Sequence, residues 1–128
     1  MANISDYAEN KLLDHLLGTA AFTMPAQVYL ALFTTPSSDA APGTEPSGGA
    51  YARVAVDFSP SSGGAANPTA DVVFAEATTN WGTITHGGLM DAASGGNMLM
   101  HGALAATKQI DVGDTFRIPL ADLDTALQ

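Results

Sequence analysis

Apolar residues near the start of the chain recur at helical spacing. In SDYAENKLLDHLLG, Leu12 and Leu16 extend one apolar stripe, with polar residues on the opposite side. Ser5 precedes the stripe as a helix N-cap, and Gly18 follows it as a residue that readily takes the positive φ of a helix end. The pattern predicts an amphipathic helix over residues 5–17, and its stripe must pack on a sheet or on another subunit.

The remainder of the chain alternates short apolar runs with turn-forming residues, which is typical of a β protein. QVYLALF (27–33) is almost continuously apolar and predicts a buried strand, whereas YARVAVDF (51–58) alternates and predicts a strand with one inward face. Further strands are predicted at 71–74, 80–91, 98–104, 108–110, 115–120 and 123–127. The order predicts one domain, 1–128: a mainly β, antiparallel β-sandwich of jelly-roll-like type with an N-terminal amphipathic α-helix.

Two long segments separate these strands. Residues 34–50 contain three prolines and no large aliphatic side chain, and residues 59–70 are similarly rich in Gly, Pro and Ser. Connections of this length without secondary structure are uncommon in a compact domain and are usually functional or mobile. We expect both segments to be loops.

The stretch NWGTITHGGLMD (80–91) has the composition of a possible site. A hairpin that pairs Asp91 with Met98 places Gly88 opposite His101 and His86 opposite Ala103, so the two histidines become diagonal neighbours on one face. They could share a metal or a proton, but the sequence specifies no third ligand of the kind that catalytic zinc sites use. A strand histidine satisfied by a carbonyl or by water is the simpler interpretation.

Trp81 has two interpretations. Its indole could stack on a sugar with help from Tyr51 or Tyr29, or it could anchor the core of a chain that has few other large side chains. The second interpretation is favoured because Trp81 is the single tryptophan among many alanines and glycines. The glycine pairs do not match the spacing of phosphate-binding loops, and they predict turns.

Composition narrows the function classes. The net charge is −9 and only four cations oppose thirteen carboxylates, so no basic surface for nucleic acid or an anionic membrane is expected. The chain has no cysteine, which excludes disulfides and thiolate chemistry. It has no signal-like or membrane-spanning segment, and therefore predicts a soluble protein made in the cytoplasm. No cofactor, metal ion or catalytic residue is predicted.

Several segments together resemble a known family. They are NISDYAENKLLDHLLGTAAFTMP, VYLALFTT, GGAYARVAV and NWGTITHGGLMDAASGGNMLMHGAL, and they cover most of the chain. These segments resemble a family of short virion structural proteins of tailed bacteriophages, whose members are often labelled tail fibre protein. The resemblance implies a non-enzymatic virion protein, made in the host cytoplasm, that works through contacts between subunits.

Two roles follow from that resemblance. The first is a capsid decoration (cement) protein that binds as a homotrimer and bridges major capsid subunits, and the alternative is a tail fibre or tail-tip adhesin. A small hydrolase using His86 or His101 is a third, less favoured class. The helix and the 34–50 loop are candidates for contacts with partners. The side chains concerned are Tyr7, Leu12, Leu16, Pro36, Pro42, Pro46 and Tyr51, with Trp81 as the structural anchor.

Overall fold

The computed structural model describes residues 3–119 and the short strand at 125–126. The remaining parts of the predicted elements at 115–120 and 123–127 lie outside the described residues. The elements, in chain order, are β1 (Asn3–Ile4), α1 (Asp6–Leu16), β2 (Val28–Phe33), β3 (Val54–Val56), β4 (Ala65–Ala66), β5 (Val72–Val73), β6 (Gly82–Met90), β7 (Met98–Ile110), β8 (Arg117–Ile118) and β9 (Thr125–Ala126).

The strands form one main sheet and two small ribbons. The main sheet is antiparallel with the order β1-β7-β6-β2-β3, and the ribbons pair β4 with β9 and β5 with β8. The prediction of a mainly β, antiparallel fold with one N-terminal helix is confirmed. A jelly-roll-like sandwich requires a second full sheet, and in its place the described residues form two separate two-stranded ribbons. The sandwich part of the prediction is therefore not confirmed.

Strand β2 is buried on both faces, as its continuous apolar sequence predicts. Leu30 and Leu32 face one side of the sheet, and Ala31 and Phe33 face the other. All four side chains are buried because other parts of the chain cover both faces of β2. This strand therefore lies between two layers of packing.

The larger core lies on the Leu30 side of the sheet. Four aromatic rings meet there, and Phe74 contacts both Trp81 and Phe116 edge to face. The buried members of this core are Leu30, Leu32, Val56, Val72, Phe74, Ala77, Trp81, Ile84, Leu89, Ile110, Phe116 and Ile118. The β5–β8 ribbon supplies Val72 and Ile118, so it covers this face of the main sheet.

The smaller core lies on the Phe33 side and depends on two glycines. A Cβ at Gly88 would lie 2.8 Å from Cε2 of Phe33, and a Cβ at Gly43 would lie 2.8 Å from the Phe33 Cβ. The Phe33 side chain is therefore held between the backbone of β6 and the segment that contains Gly43. Residues 34–50 are a loop, as predicted, but part of it closes this core.

The β6–β7 hairpin has the predicted register in its centre. Gly88 lies opposite His101 and His86 lies opposite Ala103. At the turn the prediction is wrong, because a register shift follows Leu89 and Met98 pairs with Met90 instead of Asp91. A bulge of this kind adds one residue to one strand, which hydrophobic alternation does not reveal.

The two strands predicted at 98–104 and 108–110 are one strand, β7. Ile84 pairs with Lys108 and His86 pairs with Ala103, so residues 104–107 lie opposite Thr85 alone. The strand continues through this irregular segment and resumes pairing at Lys108. The prediction of two separate strands is therefore wrong: the segment 104–107 is an irregularity in the pairing and does not end the strand.

Helix α1 begins and ends where its sequence predicts. The Ser5 side chain accepts a hydrogen bond from the Ala8 amide at 3.1 Å and donates one to the Met98 carbonyl. Gly18 has a φ of +80° directly after the C-cap residue Leu17. This helix, the only one in the described part of the chain, has 11 residues and is too short to cross a membrane.

Replacing Gly88 by alanine should destabilise the fold. The added methyl group would overlap the Phe33 ring, and overpacking of this kind costs about 1–3 kcal/mol. Urea denaturation of Gly88→Ala measures the loss directly. Ala103→Val, at an exposed position of the same sheet, is the control and should change stability by less than about 0.5 kcal/mol. Equal stabilities of Gly88→Ala and the unmodified chain would contradict this packing.

Candidate functional site

The two strand histidines lie on one face, but each has a local partner. The ring nitrogens of His101 are both engaged, Nδ1 with the Ser37 hydroxyl and Nε2 with the Asp39 carboxylate, each at 2.8 Å. His86 Nδ1 lies 2.9 Å from the Thr85 hydroxyl. Within the described residues, no group of three or more His, Asp or Glu side chains could hold a metal ion.

The contacts of His101 attach the 34–50 loop to the sheet. The imidazole is buried in β7, whereas Ser37 and Asp39 belong to the loop. The Asp39 carbonyl also accepts a hydrogen bond from the Asp6 amide at the start of α1. One point therefore connects the loop, the sheet and the helix N-terminus.

A second polar cluster fixes the other end of this loop. Arg53 donates to both oxygens of the Glu45 carboxylate, and its terminal nitrogen lies 2.6 Å from Oε1. The other terminal nitrogen donates to the carbonyls of Ala92 and Gly95, each at 2.8 Å. Because the Arg53 side chain is only 7% exposed, it connects the 34–50 loop to the β6–β7 turn from within the fold.

Tyr51 extends this cluster to the core. Its hydroxyl donates to Oε2 of Glu45 at 2.6 Å and accepts from the Leu32 amide at 3.0 Å. Its ring lies edge to face with Trp81, with centroids 5.3 Å apart. Tyr51 thus satisfies a backbone amide of β2 beyond the end of the β2–β3 pairing, where Leu30 pairs with Val54.

Burial and hydrogen bonding shift the ionisation of this cluster. Burial alone would raise the pKa of Glu45, but the hydrogen bonds from Arg53 and Tyr51 outweigh it and lower that pKa below its ordinary value. Burial, reinforced by the hydrogen bond to Glu45, raises the pKa of Tyr51 well above its ordinary value. Glu45 is therefore ionised and Tyr51 neutral at neutral pH.

Trp81 lies in the core and has no free face for a ligand. Its indole nitrogen donates to the Gly49 carbonyl at 2.8 Å, and its ring is enclosed by Tyr51 and Phe74. The ring is buried, so the indole has no accessible surface on which a sugar could stack. Trp81 connects the aromatic core to the end of the 34–50 loop.

The residues predicted to contact partners are spread over the molecule. Leu16, Pro36 and Pro42 are exposed, whereas Pro46 is buried. Tyr7, Leu12 and Tyr51 are half-buried, and the Tyr7 ring packs edge to face on Phe22. The structure does not bring the set into one surface, because Pro46 and Tyr51 belong to the fold interior while the helix residues lie elsewhere.

The helix offers the most distinctive exposed apolar surface. Leu13, Leu16 and Leu17 are 53%, 74% and 75% exposed. Of these three leucines, only Leu16 was among the predicted partner contacts. The paired leucines in KLLDHLL widen the apolar stripe of the helix, and this signal in the sequence could have indicated Leu13 and Leu17 as well. Next to the helix lies an apolar groove of about 290 Å³, between α1, the Phe22–Pro25 segment and the 61–66 segment.

Comparison with known proteins identifies the family. The family model described as "Podophage GP4 fiber I protein gp80" matches residues 3–126, nearly the whole chain. The chain belongs to this family. The predicted resemblance to phage tail fibre-type virion proteins is thereby confirmed. No curated protein matches the chain.

Membership of the gp80 fibre family makes this chain a structural component of a phage virion. The match spans the helix, the main sheet and the 34–50 loop, so both polar clusters and the leucine surface lie within the family domain.

Replacing Arg53 by methionine should destabilise the protein strongly. Glu45 would lose its ion partner and two carbonyls would lose their donor, so a loss of about 2–4 kcal/mol is expected. Arg117→Met is the matched control: its guanidinium is 60% exposed beside Asp71, and its loss should cost less than about 1 kcal/mol. Urea denaturation measures both changes, and similar losses for the two variants would refute the proposed role of Arg53.

Acid should destabilise the fold partly through Glu45. The pKa of Glu45 is lower in the folded protein, so its contribution is complete above the ordinary glutamate pKa and is lost as the pH falls through the folded value. The free energy of unfolding of the unmodified chain should therefore decrease more steeply below about pH 4.3 than that of Glu45→Gln. Urea denaturation over a pH series tests this, and parallel curves would contradict it.

Proposed function

We propose that this protein is a non-enzymatic structural subunit of the phage fibre assembly, joined to its neighbours through the helix-bearing end of the domain. The exposed leucine side chains of α1 are the observation that carries this proposal. Soluble proteins rarely leave several large aliphatic side chains on one helix in contact with water, and such surfaces usually mark protein contacts. Family membership supports a partner within the virion.

We propose no catalytic role, because the polar side chains that the fold brings together hold parts of the chain in place. His101 is held by the 34–50 loop, and the Glu45–Arg53 pair fastens that loop to the β6–β7 turn. A general base or nucleophile must reach a bound substrate. The polar groups that the fold brings together instead contact one another and the backbone.

The proposed partners are other proteins, including further copies of this chain. A net charge of −9 disfavours binding to nucleic acid or to an anionic membrane surface. The predicted homotrimer and a second virion protein both fit an acidic domain with one uncharged, apolar surface.

A fibre subunit could also act as an adhesin that binds a glycan on the host surface, but the structure favours this function less. Sugar recognition commonly uses an exposed aromatic ring, but Trp81 is buried and Tyr51 is packed against it. A host glycan would therefore have to be bound by the loops without either of these rings. A structural position within or at the base of the fibre agrees better with the fold.

Capsid decoration is the second candidate function. The observation in its favour is the compact shape of the domain, since 128 residues with one main sheet and no sequence repeat do not form an elongated shaft. In this role, a homo-oligomer would bridge major capsid subunits and reinforce the head through many weak contacts on a fixed lattice.

The number of copies per virion separates the two candidates. Quantitative mass spectrometry of purified particles, scaled to the major capsid protein, should give a small number of copies for a fibre subunit. Hundreds of copies would overturn the fibre proposal and support decoration. Gold-labelled antibody against this chain should mark the tail end of the particle in the first case and the whole head in the second.

A further inference from the structure

The base of the long loop between β2 and β3 is held by contacts that contain no titratable group. The Thr34 amide donates to the Thr44 carbonyl, and the Thr44 amide donates to the Thr35 hydroxyl, each at 2.8 Å. Gly43 lies beside these residues and packs closely on Phe33 of the smaller core. Because hydrogen bonds between neutral groups and core packing hold the base, its closure does not depend on pH.

Residues 36–42, here called the flap, extend from this base and are held differently. All of them are exposed except the half-buried Ser37, and two backbone hydrogen bonds give the flap a turn of its own. Its hydrogen bonds to the rest of the described fold are few. Ser37 and Asp39 bind the imidazole of His101, and the Asp39 carbonyl accepts from the Asp6 amide at 2.9 Å. A segment with so little apolar burial opens more easily than the core, so these polar contacts decide whether it is closed.

The imidazole of His101 is the buried group of this contact that can change its charge. An ionised carboxylate only accepts hydrogen bonds, so the Nε2 atom that faces Asp39 carries a proton. The Nδ1 atom can accept from the Ser37 hydroxyl in the neutral imidazole and can donate to it in the cation. The ionised Asp39 carboxylate therefore holds His101 in both of its charge states.

Within the described residues, Asp39 is the anion paired with His101. The residue of β1 opposite His101 is the uncharged Asn3. Other titratable or charged side chains on the surrounding elements are those of Lys108 on β7, His86 on β6, Asp6 and Tyr7 at the start of α1, and Asp91 at the β6–β7 turn. His86 is the diagonal neighbour of His101 on the same face, and acid makes it a second cation. Acid therefore makes the surroundings of His101 more positive.

We propose that the flap is a pH-sensitive device: in acid, protonation of Asp39 leaves a buried His101 cation without its anion, and the flap opens about its base to hydrate that cation. An unpaired charge is strongly unfavourable in a buried site, and access of water removes this cost. The flap is thus closed at neutral pH and opens as the pH falls. This inference goes beyond the proposed structural function, since it holds wherever the subunit lies in the virion.

The other end of the loop stays closed over the same pH range. Burial raises the pKa of Glu45, but the hydrogen bonds from Arg53 and Tyr51 outweigh it and keep that pKa below its ordinary value. Glu45 therefore keeps its charge, and its contact with Arg53, at a pH where an ordinary carboxylate is protonated. The opening is confined to the flap, and the aromatic core remains folded.

Distances between two spin labels test this movement, because the chain has no cysteine of its own. Ala40→Cys in the flap and Ala55→Cys on β3 are both exposed positions for the labels. Double electron–electron resonance should give a narrow distance distribution at neutral pH. At about pH 4, where an aspartate ordinarily takes up its proton, the distribution should become longer and broader. The control pair, Ala103→Cys with Ala55→Cys, joins two exposed positions of the main sheet and should keep its distance at both pH values.

Asp39→Asn removes the carboxylate at every pH and gives the sharpest variant test. The flap should then open as soon as His101 is protonated, so the midpoint of opening should rise by about two pH units, towards the range in which histidine ordinarily titrates. His101→Gln cannot become a cation, and its flap should stay closed at about pH 4. Asp57→Asn, which changes another exposed aspartate, is the matched control and should open at the same pH as the unmodified chain.

The near-ultraviolet circular dichroism of buried Trp81 reports whether the fold is intact during these measurements. The proposal requires this signal to persist at the pH where the flap opens. An unchanged Ala40–Ala55 distance at about pH 4 would overturn it, and so would equal midpoints for Asp39→Asn and Asp57→Asn. Loss of the Trp81 signal together with the distance change would show unfolding of the whole domain, and would overturn it as well.

Discussion

The close approach of Phe33 to the backbone at Gly88 determines how one whole side of this protein is built. The ring occupies the space where any other residue would place its Cβ, and Gly43 allows the loop to lie over the same side chain. Because the loop returns across the sheet here, Asp39 reaches His101 and the start of the helix. The 34–50 segment, which resembles an unstructured connection in sequence, thus covers the second core, and its glycine at position 43 allows the close approach to Phe33.

The same loop is held at its other end by one of the few cations of the chain. With four cations in 128 residues, the chain uses Arg53 inside the fold, where one guanidinium holds Glu45 and two carbonyls of the distant turn. Planar, multidentate donation of this kind suits arginine and not lysine. The consequence for function is that the polar clusters connect loops within the fold, and the leucines at the end of α1 are left as an apolar surface on an otherwise acidic domain.

Local patterns predicted much of this fold, and long-range contacts account for most of what they missed. The helix, β2 and the centre of the hairpin follow from spacing and alternation that each segment carries within itself. The bulges in the hairpin leave no signal in alternation. The strand predicted at 51–58 is shorter, Val54–Val56, and the Leu32 amide beyond its pairing with β2 donates to the Tyr51 hydroxyl. No spacing rule pairs Glu45 with Arg53 or Asp39 with His101, since those contacts exist only after the loop has crossed Phe33.

The helix poses the remaining physical question, because its apolar stripe is wider than the surface that the domain offers to it. Ala8 is buried and Leu12 is half-buried, whereas the leucines of the last turn face solvent. Ser5 and Gly18 fix the helix ends, so the exposed leucines do not result from a poorly defined terminus. An apolar stripe that is only half covered within one chain is stabilised by burial against a second protein surface, which is what the proposed function requires of this helix. In the proposed function, the same helix that anchors the N-terminus to β7 through Ser5 also carries the surface that contacts a neighbouring protein.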